Sequence, residues 1–193
     1  MTSLAHKVVH VNEKGSENSD RQDLLHSINK MIDGSIVEKE NFDTVDLVYR
    51  SRNGKEIRLE DLASGFKPMV YMLRLIENGW LTDNTLLEID EPETNLHPQW
   101  VVELAHLLVC INKTFGTKIF ITSHNPDMVS AIRYISEKAG VLNTTRFYLA
   151  EQSEGTDSFC YKNLGCDIEP VFESFNKSFD TLQKIFSLTQ IRQ

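Results

Sequence analysis

Cysteine is scarce in this 193-residue chain: Cys110, Cys160 and Cys166 form no Cys-x-x-Cys pair and are odd in number. Such a set fits neither a disulfide framework nor a cysteine-built zinc site, and a reducing, cytoplasmic setting is the expectation. Long apolar runs are also missing. No stretch reaches the length that spans a bilayer, and Met1 to Asn12 lacks the apolar core of a signal peptide, so a soluble protein with no membrane partner is expected. Positive charge is in deficit, with 20 Lys and Arg against 28 Asp and Glu, a net −8. That field repels phosphate backbones and argues against broad nucleic-acid binding by the chain alone, though it leaves room for a local basic patch. There is no internal repeat and no low-complexity linker. With 40% apolar residues the length suits one core and a single domain across 1–193.

Along that domain the apolar period changes several times. Over 20–61, Leu24, Leu25, Ile28, Met31 and Ile32 recur at helical spacing from Asp20 to Asp33 and stop at Gly34. Val45 to Tyr49 and Ile57 to Leu59 then flank Asn53-Gly54, whose tolerance of positive φ predicts a β-hairpin. Over 62–80, Leu62-Ala63-Ser64-Gly65 leads into a helix from about Phe66 to Asn78, with Pro68 in its first turn and Gly79 as stop. Over 81–150, Thr85 to Asp90 reads as a buried strand, Pro98 to Phe115 as a helix closed by Gly116, and Lys118 to Ser123 as a second buried strand. Strand, helix and strand imply a parallel βαβ unit. Asp127 to Lys138 predicts a further helix and Arg146 to Ala150 a strand. Over 151–193, Phe159 to Lys162 is a weaker strand and Glu169 to Phe186 a final helix. The fold class is therefore α/β, a parallel sheet flanked by helices, preceded by a helix and a hairpin.

Three places carry chemistry. Leu86-Leu87-Glu88-Ile89-Asp90-Glu91-Pro92 delivers two adjacent carboxylates to a strand's C-terminal end, where α/β sheets bind ligands. Asp90 suits the water shell of Mg²⁺, and Glu91 suits a base that orients a water toward a phosphoryl group. Two solvated acids at a strand end would read the same in isolation. Ile119 to Ser123 ends in His124, and parallel neighbours bring that imidazole to the edge that holds the acids. Ser64-Gly65 opens a helix beside Lys67, an arrangement that suits an anion, although both residues are also ordinary caps. His6 and His10, at i, i+4 spacing, are read as incidental, and His106, inside a helix, as a packing or surface residue. Trp100, Phe147, Tyr148, Phe159, Phe172, Phe175 and Phe179 fall at core period and are assigned no ligand.

Taken in order, Leu62-Ala63-Ser64-Gly65-Phe66-Lys67, Leu87 to Pro92, Thr94-Asn95-Leu96-His97-Pro98 and Thr122-Ser123-His124-Asn125-Pro126 resemble the ABC-type ATPase series of signature, Walker B, D-loop and switch histidine. The acid-rich stretch running into Leu-His-Pro is similar to the prokaryotic ATPases related to the SMC and overcoming-lysogenization-defect heads, over roughly residues 20–186. The resemblance implies a partial P-loop NTPase fold that binds ATP and Mg²⁺. It implies Asp90 at the metal, Glu91 and His124 as catalytic groups, and Ser64, Gly65, Lys67 and Asn95 toward the nucleotide. Phe66 departs from the polar residue usual in that signature, while Lys67 matches.

The larger departure is the Walker A loop. No Gly-x-x-x-x-Gly-Lys-Ser/Thr occurs, and the one Gly-Lys pair, Gly54-Lys55, is followed by Glu56 in a hairpin. In the family that loop precedes the signature, and only about sixty residues stand before Ser64, so the chain is expected to be the C-terminal half of an ABC-type ATPase. The resemblance further implies an ATP-sandwich homodimer or a partner chain bearing Walker A, with little hydrolysis by the chain alone. Nucleic acid would be reached only through the larger assembly, in DNA maintenance or phage defence. A non-catalytic module that docks on a complete ATPase is the alternative reading.

Overall fold

The computed structural model describes residues 15–41, 44–153 and 155–176. His6, His10, Phe179 and the predicted helix beyond residue 176 lie outside them. The described chain forms two compact units. One takes the residues up to His97 together with Cys110–Thr122, and the other takes Pro98–Val109 with the residues from Ser123 onward.

In the first unit α1 (Gly15–Ile32) is the predicted N-terminal helix, begun five residues earlier. Leu24, Ile28 and Ile32 recur every four residues and are buried, which gives α1 one apolar stripe. It packs on α2 (Lys67–Glu77), whose Met69, Val70, Met72, Leu73 and Ile76 are buried in turn. Burial of each such side chain contributes roughly 1.5–3 kcal/mol. Arg21 fixes the pairing, because its Nη2 donates to the Ile76 carbonyl at 3.0 Å. A cation at the last turn of α2 satisfies a carbonyl left over by the helix and complements its dipole.

The predicted hairpin is a three-stranded antiparallel sheet of β1 (Gly34–Asn41), β2 (Thr44–Ser51) and β3 (Glu56–Arg58), in the order β1-β2-β3. Asn53-Gly54 forms the β2–β3 turn, with Gly54 at φ 81°. The strand missing from the sequence reading is β1. Its Gly-Ser-Ile-Val-Glu-Lys-Glu-Asn has two adjacent apolar residues and no alternation, so period alone cannot find it. The junction from α1 to β1 is tight. Asp33 takes φ 50°, the Tyr49 hydroxyl donates to the Ile32 carbonyl at 2.8 Å, and a Cβ on Gly34 would meet the Arg50 carbonyl oxygen at 2.5 Å. Burial, with the nearby Asp33 charge, pushes the Tyr49 phenol above its ordinary value.

The remaining strands of this unit are β4 (Leu86–Asp90) and β5 (Lys118–Thr122), paired in parallel from Leu86↔Lys118 to Asp90↔Thr122. Between them in sequence runs α3 (Pro98–Phe115), closed by Gly116 at φ 69° as its sequence predicts. Val101, Leu104, Leu108 and Ile111 form its buried stripe. The expectation that β4 and β5 are buried strands is corrected. Each alternates exposed and half-buried residues, and Leu86 and Phe120 are 66% and 52% exposed. Only one face of this two-stranded ladder is covered among the described residues, so its burial follows the pleat.

The second unit contains α4 (Pro126–Ala139) and an antiparallel hairpin of β6 (Phe147–Gln152) and β7 (Phe159–Gly165), followed by helical residues 169–176. Asn125 caps α4, accepting from the Asp127 and Met128 amides, and Gly140 ends it at φ 78°. Arg133 Nε donates to the Cys166 carbonyl at 2.9 Å and ties α4 to the chain after β7. A second correction falls here. Tyr148 and Phe159, expected in the core, are 55% and 66% exposed, because they share the outer face of the hairpin through the pairs Tyr148↔Asn163 and Gln152↔Phe159. Phe172 and Phe175 meet edge to face instead, with ring centroids 6.4 Å apart.

The three-stranded sheet carries a pH-dependent contact. Hydrogen bonds from Lys39, then from Arg50, hold the Glu56 carboxyl below its ordinary value. A depressed carboxylate adds stability that is present above its unfolded pKa and is lost as pH falls through the folded one. Thermal melts of Glu56→Gln should therefore lie below those of the wild type near neutral pH and converge with them as pH falls below the ordinary carboxylate range. Parallel curves across that range would show that the pair contributes nothing.

Candidate functional site

The two parallel strands are fastened at both ends. At the N-terminal end the Lys118 amide donates to the Thr85 carbonyl at 3.0 Å. Thr117, fully buried, donates from Oγ1 to the Thr82 carbonyl at 3.1 Å, and Asn112 Nδ2 donates to the Thr117 carbonyl at 2.8 Å. At the C-terminal end Asp90 is opposite Thr122. The predicted acids therefore stand at the strand edge where α/β sheets place ligands.

Thr122 organises that edge, and sequence reasoning assigned it no role of its own. Its Oγ1 donates to Asp90 Oδ1. The Glu91 amide donates to the Thr122 carbonyl at 3.1 Å and approaches its Oγ1 at 3.3 Å. One threonine thus orients the first carboxylate and anchors the backbone of the second. Glu91 needs the anchor, since it sits at φ 44°, a left-handed conformation costing a non-glycine residue on the order of 1–2 kcal/mol. That turn takes Glu91 out of the strand, so the two carboxylates point differently. Thr94 Oγ1 donates to Glu91 Oε2 at 3.3 Å and limits the swing of the side chain. The signal in the sequence was a β-branched hydroxyl placed opposite Asp90 once the strands are set in parallel.

The signature-like loop reaches the same stretch from the other side of the sequence. Ser64–Phe66 is a 3-10 turn that runs into α2 at Lys67. This places Ser64 at the start of the helical run, three residues ahead of the α-helix proper. Gly65 is buried, and a Cβ there would lie 2.8 Å from Leu96 Cδ2 and 2.9 Å from the Asn95 carbonyl oxygen. Glycine is required by close packing against Asn95, which itself sits at φ 63°. Asparagine tolerates that region better than most residues. The structure therefore brings Gly65 and Asn95 together. Ser64 is exposed, and Lys67 is turned to the Glu60 carbonyl, with Nζ at 3.0 Å.

His124 is exposed and follows the last residue of β5 by two positions. Its chain neighbours are fixed on both sides, by the Thr122 ladder and by the Asn125 cap of α4, where the Asn125 amide donates to Ser123 Oγ at 3.1 Å. His106 is exposed on α3. Among the described residues no group of three or more His, Cys, Asp or Glu converges as a metal cage, and no helix is long and apolar enough to cross a membrane.

This architecture is found in solved ATPase heads. A structure described as "Structural biochemistry of ATP-driven dimerization and DNA stimulated activation of SMC ATPases" superposes with a TM-score of 0.52 and 11% identity, over 89% of this chain and 93% of that one. An SMC head domain with an extended coiled coil, bound to the C-terminal domain of ScpA from Pyrococcus furiosus, gives 0.52 at 14% identity, over 87% of this chain and 38% of that one. The fold is thus the α/β fold of these SMC head structures. Residues 3–129 match the AAA ATPase domain family, and the chain belongs to that family. It is also similar to the Septu protein PtuA of Bacillus thuringiensis, with 35% identity over 101 residues, 46% of this chain and 25% of that protein. An uncharacterised ABC transporter ATP-binding protein of Methanocaldococcus jannaschii is 30% identical over 137 residues, 69% of this chain and 22% of that protein. The chain spans about a quarter of the length of these curated relatives.

Two substitutions test how the edge is held. Thr122→Val removes a donor to Asp90 and an acceptor near the Glu91 amide, and should cost about 1 kcal/mol, with Thr122→Ser restoring most of it. A valine variant that melts with the wild type would show that the hydroxyl is idle. Gly65→Ala forces a Cβ against the Asn95 carbonyl and should cost roughly 1–3 kcal/mol, a fall in Tm of about 2–4 °C per kcal/mol for a chain of this size. An unchanged Tm would mean that the signature loop does not pack on Asn95.

Proposed function

We propose that this chain is the signature and Walker B half of an ABC-type ATP hydrolase. It completes its site with a chain that carries the Walker A loop. The observation that carries this reading is the Asp90↔Thr122 register, which sets two differently aimed carboxylates at the C-terminal edge of a parallel sheet in a chain of the AAA ATPase domain family.

The donor set suits a hard cation. Mg²⁺ keeps most of its waters and takes one or two carboxylates together with substrate phosphates, and Asp90 offers one exposed carboxylate whose Oδ1 is held by Thr122. We assign Asp90 to the metal. Bound Mg²⁺ would supply charge neutralisation at the phosphates. Glu91, held out of the strand and restrained by Thr94, is assigned to orienting and deprotonating the attacking water. His124 is assigned to the terminal phosphate. Ser64, Gly65, Lys67 and Asn95 form the surface offered to a nucleotide gripped by another subunit. Lys67 would exchange its exposed bond to the Glu60 carbonyl for a phosphate oxygen, a charge-assisted and stronger contact.

Positioning and charge stabilisation make up most of phosphoryl-transfer catalysis. No Gly-x-x-x-x-Gly-Lys-Ser/Thr stands in these 193 residues to supply the backbone cradle and its lysine. The isolated chain is therefore a slow or silent ATPase whose assembled form acts in DNA maintenance or defence against phage. The DNA-stimulated activation named for one SMC ATPase neighbour supports the DNA-linked part of that setting.

Phosphate release from ATP by the purified chain tests this. The wild type should match Glu91→Gln with or without Mg²⁺. Once a Walker A-bearing chain completes the site, Glu91→Gln should lower the rate by about two orders of magnitude or more. A steady Mg²⁺-dependent release by the chain alone that disappears in Glu91→Gln would overturn the half-site reading.

A further inference from the structure

We propose that the groove between α1, the start of β1 and the end of β2 is a phosphate-binding site, separate from the Asp90–Glu91 edge and independent of the ATPase reading. The groove has a volume of about 490 Å³ and is lined by eight residues, among them His26, Lys30, Arg50 and Arg52 and no carboxylate. Such a composition is uneven for a chain of net charge −8. Local attraction at contact distance outweighs that repulsive background, because a Debye length of about 8 Å screens the distant acids at physiological salt.

The polar side chains of the groove converge from two elements for separate structural reasons. His26 and Lys30 lie four residues apart on α1 and so share a helix face. Their stripe is set by Leu24, Ile28 and Ile32, whose burial turns positions 26 and 30 outward. Arg50 and Arg52 project from the end of β2 and the turn after it, at the strand that Gly34 lets β1 approach.

Both guanidiniums are pre-oriented. Arg50 places Nε and Nη2 on Glu56 Oε1 at 3.1 and 2.8 Å, and Arg52 places Nε on Asp33 Oδ1 at 2.7 Å. An arginine carries five N–H donors in a fixed fork, so pairing through these nitrogens leaves Nη1 of Arg50 and both Nη groups of Arg52 to serve a ligand. Lys30 forms no ion pair among the described residues. Lys30, Arg50 and Arg52 line the groove against Asp33 and Glu56, the two carboxylates paired with its arginines, which leaves one positive charge in excess. Asn29 and the hydroxyls of Ser35 and Ser51 line the same groove and add neutral donors.

A planar arginine fork beside a lysine suits the several oxygens of a phosphate group better than the two of a carboxylate. The groove is open and every cation in it reaches solvent, so both a free terminal phosphate and a phosphodiester in a strand fit its chemistry.

Amide chemical shifts of the full chain, titrated at low salt, test the assignment. One arm uses inorganic pyrophosphate and the other a short oligothymidylate at equal phosphate concentration. In at least one arm the amides of Asn29, Lys30, Ser35, Ser51 and Arg52 should move together, and the arm that moves them names the source. Lys30→Ala with Arg52→Ala, both exposed and outside the core, should weaken that response about ten-fold. The spectrum of the variant itself reports that it remains folded. Shifts absent from both arms, scattered over lysines and arginines across the chain, or undiminished in the double variant would overturn the proposal.

Discussion

The parallel register of β4 and β5 is the constraint on which the candidate site depends. Side chains alternate faces with a period of two, so a slip of one residue would move Asp90 away from Thr122 and send Leu87 and Ile89 to the open face. Two devices resist the slip. Buried Thr117 and Asn112 pin the strand entrances, and Thr122 pins the exits through both its carbonyl and its hydroxyl. Hydrogen bonds of this kind contribute about 1 kcal/mol each, so several are needed where one face of a two-stranded ladder lacks cover. The strain at Glu91 sits where these bonds are densest, and the surrounding contacts are what sustain a left-handed glutamate.

Close packing explains why the Ser64 loop and the Asn95 segment form one object within the first unit. Gly65 is buried against the Asn95 carbonyl, and Asn95 is held in a left-handed turn only five residues beyond Asp90. Two sequence segments thirty residues apart acquire a common position without any ligand to bridge them.

Much of this was legible in the sequence, and the rest has identifiable physical reasons. Helices with one apolar stripe and clear stops, α2, α3 and α4, were located within a residue or two, because spacing, Pro at the first turn and Gly after the last are local signals. The strand β1 was missed because its partner β2, and not its own pattern, makes it a strand. Burial of β4 and β5, and of Tyr148 and Phe159, was overestimated for a related reason. An apolar residue reports a preference for cover, and only the other chain segments present decide whether the cover exists. The acid pair was found by its motif, whereas Thr122 became visible only when the register placed a hydroxyl opposite Asp90.

Electrostatics separates the two regions of the first unit. The edge at Asp90 and Glu91 concentrates negative charge, which a divalent cation must offset before any phosphate can approach it. The groove at Lys30 and Arg52 needs no such mediator, because its own carboxylates, Asp33 and Glu56, are spent on orienting guanidiniums and do not line it. A phosphate would therefore meet opposite requirements at the two places, metal-dependent at one and metal-independent at the other. The net charge of the chain predicts neither behaviour, since at contact distance the arrangement of a few groups outweighs the sum over all of them.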